Sequence, residues 1–474
     1  MPSEPTASMR PSPAPAAPVA GRHELARGLG NRQIQLIALG SAIGVGLFLG
    51  SAPAIHRAGP GLLVAYAVGG LAVFLVARAL GEMLLYRPVS GSFAVYAEEF
   101  IAPWAGFVTG WSFWFLYVVV GIAEITAVGL YVQYWFPEVP QWIPALATLG
   151  VLFGVNLLAV QVFGEFEFWF ALIKVVTVIA LILFGVAALL FGLGGVGGQP
   201  ARLSNLWTHG GFLPHGLLGV LLTLPIATFA FGGVELIGVT AGEARDPART
   251  LPRAINAVVY RILIFYIGSM AAIMSLVAWD QLPTNASPFV LVFDQFGVPA
   301  AATVVNFVVI TAAASACNSG LFSTARMLHT LAQAGQAPEA FGRVNRQRVP
   351  AGALVASTGV MLTGVVLNYF APQRVFIYVI SVALAIQLWV WGTIVVAHLG
   401  YRRAVRRGQV PASAYRMPGA PYTSYATLAF FVLVALLLGV DAETRIALYV
   451  APVWFAVVVA EYLLTKRYGV REAA

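Results

Sequence analysis

Two carboxylates and one ammonium lie where the surrounding sequence is almost wholly apolar. Glu124 sits in Gly121-Ile-Ala-Glu-Ile-Thr-Ala, Glu235 closes Phe229-Ala-Phe-Gly-Gly-Val-Glu, and Lys174 is flanked by Phe170-Ala-Leu-Ile and Val-Val. An ionisable side chain in hydrocarbon is expensive, so each is expected to face a partner, a polar cavity or an ion path. Glycine clusters occur alongside. In Gly40-Ser-Ala-Ile-Gly-Val-Gly46 an unwound stretch over Ser41, Ala42, Gly44, Val45 and Gly46 would leave backbone N–H groups free. Those groups bind a carboxylate at the positive end of a half-helix. Gly40 and Gly44 are four apart, a spacing that also suits close helix packing. Unwinding at Phe229, Ala230, Phe231 and Gly232 would free carbonyls to accept from an ammonium.

Each charged group has a blander reading beside the functional one. Glu235 suits a proton-linked gate, or a carboxylate satisfied by hydrogen bonds between helices. Glu124 lines a substrate path, or bonds Thr126 or a neighbouring helix. Lys174 stands in for a bound cation or exchanges a proton, or else snorkels to an interface. It lies ten residues past the polar Gly164-Glu165, roughly 15 Å in at 1.5 Å per residue, which is a poor depth for snorkelling. Arg78 and Glu82, at i and i+4, read as a structural pair. Glu165 and Glu167 read as dipole-stabilising acids at a helix start.

The elements that must hold these groups are transmembrane helices. Of 474 residues, 59% are hydrophobic and 10% charged, and the mean hydropathy is +0.84. A soluble domain carries about 25% charged residues, so lipid is the solvent implied. Twelve apolar stretches are long enough to cross: 33–57, 60–85, 102–131, 142–162, 166–193, 217–240, 255–278, 298–326, 351–370, 374–400, 422–440 and 446–464. With the N-terminus inside, 21 of the 27 basic residues fall in cytoplasmic segments and four (Arg57, Arg202, Arg374, Arg445) on the other side. That bias places both termini in the cytoplasm and supports an even helix count. The glycine breaks fall in helices one and six. Five is odd, so a second five-helix unit enters the membrane upside down. The fold class expected is an all-α membrane protein with a 5+5 inverted repeat of the LeuT-like kind, discontinuous helices 1 and 6, and two accessory helices. The segments are then a disordered cytoplasmic tail 1–27, helices 1–5 in 28–200, helices 6–10 in 201–400, and helices 11 and 12 with the C-terminus in 401–474.

The net charge of +8 is spread over short segments between apolar runs, as for anchors at a lipid surface rather than for nucleic acid. The one cysteine, Cys317, allows no intrachain disulfide, and no two of the six histidines are spaced i, i+4, so no metal site is expected. No cofactor is expected. No nucleophile elbow, P-loop or metalloprotease motif is present, which counts against an enzyme or an ATP-driven pump.

At these residues the chain resembles the amino acid transporter family of the amino acid–polyamine–organocation superfamily. The resemblance rests on Ile37-Ala-Leu-Gly-Ser-Ala-Ile-Gly-Val-Gly-Leu-Phe, Phe163-Gly-Glu-Phe-Glu-Phe-Trp and Gly233-Val-Glu-Leu-Ile-Gly-Val-Thr-Ala-Gly-Glu-Ala, with Asp246-Pro and Arg326-Met-Leu. It implies a proton-coupled permease of bacterial inner membranes that imports a neutral amino acid by alternating access. By position, Val45 and Gly46 would offer N–H groups to the substrate carboxylate, and Phe229, Ala230 and Gly232 would offer carbonyls to its amine. The Phe229 ring would gate the site and Glu235 would sense the proton. Lys174 would take the place of a sodium ion, and Gly121 and Glu124 would line the pocket. Stretches similar to aromatic, proline, histidine, GABA and D-serine/D-alanine/glycine carriers leave the substrate open. An exchanger without proton coupling, and a membrane-embedded sensor or channel, are the alternatives.

Overall fold

The computed structural model describes residues 43–89, 91–158, 160–194, 200–241, 246–282 and 286–472. Ser41, Ala42 and the tail 1–27 lie outside them. The chain forms α1 (Val45–Phe48), α2 (Ser51–Ala58), α3 (Leu62–Tyr86), α4 (Ser92–Phe100), α5 (Pro103–Val132), α6 (Trp142–Asn156) and α7 (Val160–Phe191). Then come α8 (Asn205–Thr208), α9 (Gly216–Phe229), α10 (Leu236–Ala241), α11 (Pro247–Arg261), a π-helical stretch Ile262–Gly268, α12 (Ser269–Leu276) and α13 (Pro288–Gln295). The chain closes with α14 (Pro299–Gln333), α15 (Ala351–Phe370), α16 (Pro372–Arg406), α17 (Tyr422–Val440) and α18 (Ala447–Glu472). No strand occurs among the described residues.

Local chemistry explains where the helices start and stop. Proline, whose missing N–H is no loss in a first turn, opens α5, α11, α13, α14 and α16. At α11 the Asp246 side chain also caps the Arg249 N–H. The sharp reversal between α2 and α3 uses Gly59 at φ +58°, a backbone region open to glycine at little cost.

Nine helices among the described residues are long and apolar enough to cross a membrane, and two shorter apolar ones are α6 and α9. The twelve expected spans meet this in part. The first begins before residue 43. The fourth is the 15-residue α6, about 22 Å at 1.5 Å per residue. The sixth divides into α9 and α10. Outward-facing apolar side chains such as Leu71, Leu183, Leu190, Val304 and Leu436 are 60–76% exposed. That inverts the pattern of a water-soluble surface and fits lipid.

The centre of the bundle is α5, which packs mainly on α14 and α16. Polar side chains tie it to its neighbours. Asn306 donates to the Tyr131 carbonyl at 2.9 Å, Asn368 to Thr126 Oγ1 at 2.7 Å, and Trp114 to Ser357 Oγ at 2.9 Å. Such bonds fix helix register in a medium where apolar packing alone discriminates poorly.

Candidate functional site

The two breaks meet at the centre. After Gly44 the chain starts α1, one turn long, and resumes helically at Ser51. The other break follows Pro225 inside α9, where a ring replaces one helical N–H. The helix stops at Phe229, Gly233 takes φ +99°, and α10 starts at Leu236. A β-carbon on Gly46 would lie 2.8 Å from the Ala230 Cα, so the two breaks touch backbone to backbone.

Between them is a cavity of about 30 Å³, room for about two waters. Its walls bring together Gly44, Gly46, Glu124, Phe229, Ala230 and Gly232 from the sequence reading. The Val45 N–H donates to both oxygens of Glu124 at 3.3 Å. A carboxylate therefore already occupies the place expected for an anion, and it comes from the chain itself. A β-carbon on Gly44 would stand 2.7 Å from Glu124 Oε1, so this seat requires glycine there. Glu124 itself is 3% exposed. The Ala230 carbonyl accepts from the Tyr266 hydroxyl at 2.7 Å, which leaves it one lone pair for a ligand.

Other expected residues sit elsewhere. Phe231 turns away and packs on Tyr66 and Tyr266, ring centroids 5.7 and 4.4 Å distant. Gly121 faces Met361 and Cys317, where a β-carbon would meet the Met361 Cε at 2.6 Å. The cavity stripe on α5 is instead Leu116, Tyr117, Val120 and Glu124, one helical face. Glu235 lies one layer behind the cavity. Its Oε1 accepts from Tyr117 at 2.6 Å and its Oε2 from Trp391 Nε1 at 2.9 Å. The buried guanidinium of Arg261 interacts electrostatically with the same carboxylate. Lys174 is fully buried, not snorkelling, and interacts with both Glu124 and Glu167.

Two sequence assignments need correction. Glu167 is no exposed helix-start acid: it is fully buried within α7 and accepts from Ser315 at 2.8 Å. Its distance from Lys174, seven residues on one helix, puts the two on one face. Glu82 does not pair with Arg78. Arg402 approaches it with two nitrogens at 2.9 and 3.1 Å, and His398 at 2.9 Å. Arg78 instead bonds Asn256 at 3.1 Å and stacks 3.8 Å over the Tyr415 ring. A guanidinium finds a bidentate carboxylate better across a helix interface than one turn along its own helix.

On one side of the cavity, the Phe229 ring separates it from a gap reached past Pro53, Arg57 and Phe376. Beyond is a vestibule of about 770 Å³. Arg57 pairs with Asp441 at 2.5 Å beside this route. The arrangement is a closed central chamber with hydrogen-bonding groups for both ends of a zwitterion and a wider approach from one face.

Known proteins resemble this chain along nearly its whole length. The family described as amino acid permease matches residues 33–473. The chain is 50% identical over 441 residues to the "Uncharacterized amino acid permease YtnA" of Bacillus subtilis, covering 93% of this chain and 95% of that one. It is 48% identical to the "Probable threonine/serine transporter YbxG" of the same organism, over 93% and 95% of the two chains. The aromatic amino acid transport protein AroP of Escherichia coli is 45% identical, over 94% and 96%. The resemblance read from the motifs is thereby established, and with it a transporter rather than an enzyme. This multi-pass membrane chain belongs to the amino acid permease family.

Proposed function

We propose that the chain imports a neutral amino acid by proton symport with alternating access. The observation that carries this is the Glu124 carboxylate seated on the Val45 N–H in the central cavity. A substrate carboxylate needs the same seat. Two negative charges a few ångströms apart in a low-dielectric chamber repel strongly, so substrate enters as Glu124 takes a proton and swings aside. Lys174, which interacts with Glu124 and Glu167, offers the displaced group a charged neighbour. The substrate amine then meets the carbonyls of Phe229, Ala230 and Gly232, and the Phe229 ring closes over it.

No cationic side chain lines the cavity among the described residues; its other walls include Leu116, Val120, Leu236, Ala316 and Gln387. That lining suits a neutral side chain. The relatives' names span threonine, serine and aromatic substrates. We place Glu235 as the anchor of the second break, held by Tyr117 and Trp391, and Glu124 as the group that exchanges the proton with solvent. The glycine breaks and the arginine bias support a frame of twelve spans, with helices 1–5 in 28–200, their inverted copy in 201–400, and two accessory helices after it. Both termini then face the cytoplasm of a bacterial inner membrane.

The test is uptake of labelled serine, threonine, proline and phenylalanine into proteoliposomes with an imposed proton gradient. Accumulation of at least one that collapses when the gradient is dissipated is the expected result. Counterflow of equal size with and without the gradient, and no net accumulation, would establish an exchanger instead.

A further inference from the structure

The largest concentration of positive charge lies far from the substrate cavity, where α16 ends and α17 begins. The last turns of α16 carry Arg402, Arg403 and Arg406, the connecting loop returns Arg416 beside them, and α17 adds Tyr425. Together they surround a cavity of about 290 Å³, several times the volume of the central one. Its one acid, Glu82, is already spent: it accepts from Arg402, from His398 and from the Met417 N–H at 2.7 Å. Among the described residues Arg403, Arg406 and Arg416 have no carboxylate partner.

A helix C-terminus attracts cations, and that explains arginines in the last turn of α16. It does not explain Arg416, which comes from the loop, nor a hollow of this size between three like charges. Guanidinium groups lining a hollow match the oxygens of a phosphodiester, which accept bidentate hydrogen bonds. The rest of the surface points to lipid as the carrier of that phosphate. Below the arginines, Tyr425, Val432 and Leu436 are 52%, 60% and 67% exposed and share one face of α17 at i, i+7 and i+11. This is an apolar track running from the hollow along the membrane-facing side.

We propose that this hollow binds the phosphate headgroup of an acidic phospholipid, with an acyl chain along the exposed face of α17. The site has a route to the substrate cavity. The same unbroken helix α16 carries Gln387 at the cavity wall and Trp391 on Glu235. Trp391 and Arg403 are twelve residues apart, roughly 18 Å along the axis. A lipid that holds the end of α16 steadies the helix that positions the second break.

The experiment uses the purified full chain and native mass spectrometry after exchange into mixed micelles of phosphatidylglycerol and phosphatidylcholine. The wild type is expected to retain phosphatidylglycerol preferentially. The variant Arg403→Gln/Arg406→Gln/Arg416→Gln should lose that preference, by about fivefold for each arginine removed. Arg374→Gln, on an exposed arginine at the opposite end of α16, serves as the control and keeps it. If the triple variant fails to fold, Arg416→Gln alone, in the loop, carries the same expectation at one arginine's effect. Equal retention of both lipids by the wild type, or unchanged retention in the variants, overturns the proposal. Complete displacement by millimolar inorganic phosphate shows a free-anion site and also overturns the lipid assignment. Preferential lipid retention without any accumulation of amino acids would leave this site standing while removing the transport reading.

Discussion

The two carboxylates beside the glycine breaks, Glu124 and Glu235, are both buried and very differently held. Glu235 is fully buried and each of its oxygens takes a hydrogen bond from a side chain of another helix, Tyr117 on α5 and Trp391 on α16. Glu124 is bonded to a single backbone N–H at the long distance of 3.3 Å, and one side of it faces the cavity. A group clamped by two donors, with a guanidinium near, is a fixed anchor. A group on one long bond beside open space, with Lys174 as its charged neighbour, is the less restrained of the two. Burial alone therefore does not separate the two; the number and strength of the restraints does.

The largest expected effect falls on the clamp. Glu235→Ala leaves two buried donors unpaired and Arg261 without its carboxylate. Stability in detergent should drop by roughly 3–5 kcal/mol, as when one partner of a buried charged network is lost. Thermal unfolding checks this; a drop of less than about 1 kcal/mol would show that the two donors do not clamp Glu235, and the comparison would break.

Next comes Glu124→Gln, which should spare folding. Substrate affinity in the wild type is expected to change about 5- to 150-fold between pH 5 and pH 8, the usual span of a coupling between two binding events. In the variant, binding measured by scintillation proximity should be flat with pH. A retained pH dependence would move the proton elsewhere.

Glu167→Gln sharpens the role of Lys174, which then keeps only one carboxylate neighbour. Removing one charge-assisted interaction costs about 1.5–3 kcal/mol, so gradient-driven uptake should fall about 10- to 150-fold while equilibrium binding at pH 5 is little changed. Uptake equal to wild type at matched expression would confine Glu167 to packing. The smallest effect belongs to Tyr117→Phe, which removes one donor from Glu235 and leaves Trp391 in place. About 1 kcal/mol of stability should be lost; a drop as large as that of Glu235→Ala would mean that Tyr117, not Trp391, sets the clamp.

The residues legible in the sequence were those with a local signature. Gly44, Gly46, Glu124 and Phe229 stand out because glycines or a charge interrupt an apolar span, and all four line the cavity. Tyr117, Ala316, Gln387 and Trp391 carry no such mark. Aromatic and small residues on a buried helix look like packing, and they converge on the site only after helices distant in sequence are brought together. Phe231 was grouped with Phe229 by adjacency, yet neighbours in a helical turn diverge by about 100°, and Phe231 is absorbed by Tyr66 and Tyr266. Glu167 shows the opposite failure. Its seven-residue spacing from Lys174 was visible, but a helix-start explanation was sufficient and hid the pairing. The nine long spans among the described residues were legible because hydrophobic length is a direct physical requirement of lipid.

The bond between the Val45 N–H and Glu124 bears on how the carrier returns after unloading. A transporter that can close only around cargo must swap one molecule for another, because its vacant form is stranded on one side. Here the vacated anion seat is filled by a tethered group of the same charge, so the unloaded chamber closes without leaving a desolvated N–H bare, which would cost about 1–3 kcal/mol. Under the proposed symport, that group has by then given up its proton to the compartment just served. On the same proposal, the homeward half of the cycle then runs with neither amino acid nor proton aboard.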